Sequence, residues 1–215
     1  MHQLTLAPRS IALLGAHCDD IAIGAGGLLL DLCRRQPGVR IDALVLSGAG
    51  TEREAEERAA LAAYCPGANL TVHVHDFPDG RMPGRWAEVK AAVAAFRRTV
   101  EPDLVLAPHA GDAHQDHRLL AELAWQEFRA HLILGYEILK YEGDLPTVQT
   151  YWPLDRALAD EKIALLHEHY PSQHSRTWFD DEAFRGMLRV RGVQCQRPYA
   201  EGFVTPKLTL RAGDL

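Results

Sequence analysis

The chain has 215 residues, 47% of them hydrophobic and 24% charged, and a formal net charge of -6. That length suits a single domain with its own apolar core, and the acidic balance, with Lys and Arg scattered among acids, excludes a nucleic-acid backbone as the expected partner. The longest apolar run, Ile21 to Leu30, is too short to span a bilayer.

Ser10 to Gly15 is a continuous apolar run closed by glycine, as expected of a parallel strand buried on both faces. It delivers His17, Asp19 and Asp20 to the edge of a sheet. The apolar residues from Ile21 to Leu32 predict a buried helix in which Gly24, Gly26 and Gly27 permit close packing, and Pro37-Gly38 ends it. Arg40 to Leu46 predicts a second strand, Thr51 caps a helix running to about Tyr64, and Leu70 to Val74 predicts a third strand. A turn at Asp76 to Gly80 leads to a helix over Arg85 to Val100, and Asp103 to Ala107 predicts a fourth strand. A helix over Ala113 to Ala130 and a strand over His131 to Ile138 complete an alternation that implies an α/β fold with a mostly parallel sheet. Beyond Tyr141, a strand at Val148 to Trp152 and helices near Asp155 to Tyr170 and Asp180 to Arg191 predict a cover that walls the site. No linker separates it, so residues 1–215 read as one domain.

The amino end lacks the charged-then-apolar pattern of a secretory signal. Cys18, Cys33, Cys65 and Cys195 are widely spaced and read as free thiols. The expected setting is the cytoplasm, with no membrane span and with a homo-oligomer left open.

Two clusters carry the chemistry: Ala16-His17-Cys18-Asp19-Asp20 after the first strand and Asp112-Ala113-His114-Gln115-Asp116-His117 after the fourth. Strand carboxyl ends are where an α/β fold exposes side chains to a ligand. Catalytic zinc takes three ligands from His and carboxylate and keeps one position open for water, a set that His17, Asp20 and His117 supply. Asp19 points elsewhere than its neighbour Asp20, which leaves it free as general base. His114, three residues before His117 and so on the same helical face, is placed to stabilise an oxyanion as an imidazolium, with Asp116 orienting and charging it. The bland alternative makes His17 a strand-end residue and the aspartates helix caps. A rival of another class is a sugar- or nucleotide-binding module with the glycines as a phosphate cradle. Two aspartates beside Gly24-Ala25-Gly26-Gly27 would repel phosphate, and no G-x-G-x-x-G follows the first strand.

The two clusters, with Asp76-Phe77-Pro78-Asp79-Gly80, Pro102 to Leu106, Tyr170-Pro171-Ser172-Gln173 and Tyr199-Ala200-Glu201, resemble the LmbE-like (PIG-L type) zinc N-deacetylases. The resemblance implies a Rossmann-like, three-layer fold and hydrolysis of an N-acetyl or similar N-acyl group from an amino sugar such as an N-acetylglucosamine-containing glycan, glycoside or metabolite. The implied cofactor is Zn2+, with another divalent ion such as Fe2+ as alternative. The implied partner is a small-molecule amino sugar, with an amidase acting on a thiol conjugate or a natural-product amide as the second reading. The resemblance also implies that Arg53 stands near base and substrate, and His109, Gln173 and Glu201 are candidates to line a sugar-sized cleft. Cys18 stands where proline is usual, Ile21 and Ala22 leave no acid after the aspartate pair, and Leu28 replaces a common threonine. None of these removes a metal ligand.

Overall fold

The protein, a computed structural model describing residues 4–209, is built on one seven-stranded sheet. Its strands are β1 (Ser10–Gly15), β2 (Arg40–Val45), β3 (Asn69–Val74), β4 (Leu104–Pro108), β5 (Leu132–Tyr136), β6 (Thr150–Leu154) and β7 (Tyr199–Val204), in the order β3-β2-β1-β4-β5-β7-β6. The first five run parallel; β7 is antiparallel to both β5 and β6. Six helices cover the sheet: α1 (Asp20–Arg35), α2 (Glu52–Tyr64), α3 (Trp86–Thr99), α4 (Gln115–Glu127), α5 (Arg156–His169) and α6 (Asp181–Gln194).

Strand alternation sorts the core into two layers. In β1, Ile11 and Leu13 face one way and pack with α1, α2, α5 and α6, while Ala12 and Leu14 face the other way and pack with α3 and α4. Because both faces of the strand are covered, every residue from Ile11 to Gly15 is buried. That is why the strand reads as an unbroken apolar run rather than an alternating one.

The order of connections fixes where a ligand can sit. The chain leaves β1 toward β2 and β3, then returns to the other side of β1 to form β4. The helices that follow β1 and β4, α1 and α4, pack on opposite faces of the sheet. The two strand ends therefore diverge around a crevice at a topological switch point, the place where open α/β sheets bind ligands. Both motif clusters lie there.

Close approach sets two glycines of α1. A Cβ on Gly24 would stand 2.3 Å from Cδ2 of Tyr136, whose hydroxyl donates to the carbonyl of Leu14 at 2.7 Å. A Cβ on Gly27 would meet Leu154 at 2.6 Å and Glu201 Oε1 at 3.0 Å.

Several boundaries differ from expectation. The segment Tyr199 to Val204 is a strand that the sequence pattern does not announce, because nearly all of it is buried and Glu201-Gly202 interrupts its apolar residues. The region after Tyr141 thus extends the sheet by two antiparallel strands as well as covering it. The helix α4 begins at Gln115, not Ala113, and His114 is its N-cap in extended backbone. Among the described residues no helix is long and apolar enough to cross a membrane, and all four cysteines are free and buried.

Candidate metal centre

His17 leaves the end of β1, Asp20 opens α1, and His117 sits in the first turn of α4. Their polar atoms converge. His17 Nδ1 lies 3.1 Å from His117 Nε2, and His117 Nε2 lies 3.3 Å from Asp20 Oδ1. A tetrahedral ion with bonds of about 2.0–2.2 Å separates its ligands by about 3.3–3.6 Å, and with His17 Nδ1 3.6 Å from Asp20 Oδ2 the three groups come within reach of one divalent cation. Asp20 has its other oxygen, Oδ2, occupied by the backbone N–H groups of Ala16 and His17 at 2.9 and 2.8 Å. That bracing leaves Oδ1 to face the His117 imidazole.

The electrostatics point the same way. Burial alone would raise the Asp20 carboxyl, yet His117 and His17 override it and hold the group well below its usual range. Burial would likewise lower His17 and His117, but the facing carboxylates raise both, His117 to about 9. Two ring nitrogens and a carboxylate that together favour positive charge are a donor set for a cation.

Each histidine is steered by a second carboxylate. Asp112 Oδ2 stands 3.0 Å from His117 Nδ1, and neither of these buried atoms has another hydrogen-bond partner. Lys140 Nζ, 3.0 Å from Asp112 Oδ1, balances its charge. Asp116 Oδ2 stands 3.2 Å from His17 Nε2. Asp116, expected to orient His114, thus also lies against His17, while one of its carboxylate oxygens stays within 4.8 Å of a His114 ring nitrogen. Asp116 also accepts the N–H groups of Gly80 and Met82 at 2.7 and 3.1 Å, tying the turn after β3 to the centre. This turn brings in Asp79, an exposed carboxylate 3.0 Å from His17 Nε2 and 3.8 Å from His114 Nε2, which sequence reasoning did not single out.

His114 is placed by capping rather than by helical stacking along α4. Its Nδ1 accepts the backbone N–H of Asp116 at 3.3 Å, which leaves the ring proton on Nε2. Burial, together with the neighbouring His17 and His117, lowers its pKa, which works against the expected imidazolium. Its ring centroid lies 4.7 Å from those of both His17 and His117.

Asp19 is the N-cap of α1, with φ 108° and ψ -25° and no side-chain capping bond. A side chain in such a backbone costs on the order of 1–3 kcal/mol, strain that persists only where surroundings impose it. Its Oδ2 accepts from Arg53 Nη2 at 2.7 Å. Arg53 also donates to the Cys18 carbonyl, to Glu56 Oε2 at 2.6 Å and to Ser172 Oγ at 2.8 Å. Burial pushes the Asp19 carboxyl up to about 7 against the pull of Arg53.

This arrangement of strand-end clusters coincides with a family. Residues 12–128, more than half of the chain, match the family described as PIG-L, GlcNAc-PI de-N-acetylase. The chain belongs to the PIG-L family. The uncharacterized deacetylase YaiS of Escherichia coli (strain K12) is 32% identical over 141 residues, 60% of this chain and 74% of that protein. The N,N'-diacetylchitobiose deacetylase of Pyrococcus horikoshii superposes with a TM-score of 0.73 at 19% identity, covering 92% of this chain and 84% of the other. GalB, the 4-carboxy-2-hydroxymuconate hydratase of Pseudomonas putida KT2440, superposes with a TM-score of 0.71 at 18% identity over 96% and 99%. The same fold thus appears among proteins named for different reactions, and it is the family match that speaks to chemistry. As a PIG-L member the chain is a hydrolase of N-acetyl amide bonds, of a metal-dependent kind.

Within this PIG-L domain the remaining expected substrate residues separate. Arg53 holds Asp19 and meets Gln173 through Ser172, whose Oγ accepts from Arg53 Nη1 at 2.8 Å and from Gln173 Nε2 at 3.0 Å. His109 is buried behind the centre, its Nδ1 accepting from Gly111 N at 3.2 Å and its Nε2 facing Asp112 at 3.9 Å. Glu201 lines a small cavity, shared with Lys162 and Arg191, that none of the metal-centre residues lines. Its oxygens accept the N–H groups of Gly27 and Leu28, both at 2.7 Å, and pair with Lys162 Nζ at 2.6 Å, which also donates to the carbonyl of Ile23. Lys162 and Glu201 are each only 3% exposed, so the pair braces α1 from inside the core.

Proposed function

We propose that the protein is a zinc-dependent hydrolase that removes the N-acetyl group of an amino sugar, with His17, Asp20 and His117 holding the ion. The observation that carries this reading is the convergence of His17 Nδ1, His117 Nε2 and Asp20 Oδ1 to separations of 3.1 and 3.3 Å from loops far apart in the chain. When bound, a divalent ion polarises the acetamide carbonyl and lowers the pKa of water.

The chain's own residues do the rest. Asp19 takes a proton from the attacking water at the carboxylate oxygen that Arg53 does not hold, and Arg53 keeps that carboxylate oriented. His114 donates its Nε2 proton as a hydrogen bond to the carbonyl oxygen as charge develops there, a role that a neutral ring fills without losing the proton. Asp19 returns its proton to the departing nitrogen as the C–N bond breaks, so one water and one amide give a primary amine and acetic acid, whose proton then passes to the amine or to solvent to leave acetate. Asp79, exposed beside His17 and His114, is positioned to accept from sugar hydroxyl groups. The Pyrococcus relative's name, a diacetylchitobiose deacetylase, supports an amino-sugar substrate. The reaction is assigned to the cytoplasm, in keeping with four cysteines that remain free.

The test is acetate release from a panel of N-acetylglucosamine, N,N'-diacetylchitobiose and N-acetylcysteine by protein loaded with Zn2+ or Fe2+ after chelation. Turnover of the sugars with zinc supports the reading. Turnover confined to N-acetylcysteine overturns the substrate class, and full activity in the chelated protein overturns the metal.

A further inference from the structure

Glu57 lies in the middle of α2, fully buried, and hydrogen-bonds to none of the three side chains proposed to hold the metal. Its Oε2 accepts the backbone N–H of Asp19 at 2.9 Å and the hydroxyl of Tyr170 at 2.7 Å. Its Oε1 is buried with no partner. A buried carboxyl with an unpaired oxygen is costly, and an apolar residue would fill the same space on a helix more cheaply. What Glu57 does that an apolar residue cannot is accept those two donors.

The N–H it accepts belongs to the residue whose backbone is least at ease. Asp19 has φ 108°, a region that its Cβ opposes. Fixing that N–H holds the peptide plane before Asp19, while the Ile23 N–H, donating to the Asp19 carbonyl at 2.9 Å, holds the plane after it, so the direction of the Cα–Cβ bond is set from both sides. One helical turn earlier on α2, Arg53 holds the Asp19 carboxylate. A single helix therefore grips both ends of the same residue, and Tyr170 restrains the Glu57 side chain from the segment after α5.

We infer that Glu57 is a positioning residue: it holds Asp19 in its strained backbone so that the carboxylate meets the attacking water. The inference rests on Asp19 being the base, as proposed above.

The experiment compares Glu57→Leu and Glu57→Gln. With N-acetylglucosamine as substrate, Glu57→Leu lowers kcat by about 10- to 100-fold, the scale on which a misplaced catalytic group costs rate, while KM and bound zinc stay within about threefold. Glu57→Gln keeps an acceptor oxygen and restores kcat to within about threefold of wild type. In the metal-free protein, the Asp19 amide proton exchanges faster in Glu57→Leu than in wild type, a readout that needs no substrate. If Glu57→Leu does not fold, Tyr170→Phe decides, since freeing the Glu57 side chain speeds Asp19 amide exchange and lowers kcat at constant KM. A folded Glu57→Leu with wild-type kcat or wild-type Asp19 exchange overturns the inference, as does loss of zinc together with kcat, or Tyr170→Phe without effect. Failure of the underlying reading is distinguishable: there, Asp19→Ala itself keeps turnover.

Discussion

Asp116 Oδ2 lies 3.2 Å from His17 Nε2, joining the helix after β4 to the histidine after β1. The same carboxylate receives two backbone N–H groups from the turn that carries Asp79, so one side chain orients a metal-binding ring and anchors the mouth of the site.

Asp116→Ala should therefore weaken zinc binding by about 10- to 100-fold, the usual consequence of removing a carboxylate that orients a ligating histidine. It should also destabilise the fold by about 1–3 kcal/mol, because buried N–H donors lose their acceptor. Zinc titration and denaturant unfolding of the variant check both. Wild-type zinc affinity would show that His17 does not need this support.

The Lys162 and Glu201 pair predicts a different profile. Lys162→Met leaves a buried carboxylate uncompensated and should cost about 3–5 kcal/mol. Turnover per folded molecule should stay near wild type, since neither residue faces the metal centre. A variant of wild-type stability with impaired KM would return Glu201 to the substrate cleft.

Glu57 makes stability depend on pH. Burial pushes its carboxyl from an ordinary value near 4.5 up to about 8. Between those values the folded state keeps a proton that the unfolded chain has released, so this residue's contribution to stability falls as pH rises. In metal-free protein unfolded by denaturant across that window, wild type should lose stability relative to Glu57→Gln. Parallel profiles would contradict the buried environment of Glu57.

The parts of this molecule legible in the sequence are those written locally. An unbroken apolar run marks β1 because both its faces are covered, and glycine after it marks the turn that delivers His17. His17, Asp20 and His117 could be grouped because α/β topology sends strand ends to one edge. The roles of neighbouring acids were not legible in the same way. Placing His114 on the same helical face as His117 assumes a helix that already includes His114, whereas the helix starts one residue later and turns that ring into a cap. Asp112 then stands against His117 within its own loop, whereas Asp116 reaches His17 by three-dimensional approach across 99 residues. Glu201 shows the same limit: its partners Gly27 and Lys162 are 174 and 39 residues away, and no local pattern announces a carboxylate placed against the backbone of a buried helix. Glu57 stands in the charged stretch Glu52-Arg53-Glu54-Ala55-Glu56-Glu57, and only the docking of Tyr170 and Asp19 accounts for its burial.

The most direct test measures bound zinc and turnover side by side in Asp19→Ala and His117→Ala. Asp19→Ala should keep its zinc and lose turnover, whereas His117→Ala should lose both. Equal zinc content and equal activity in the two variants would contradict a centre in which His117 holds the ion and Asp19 activates water.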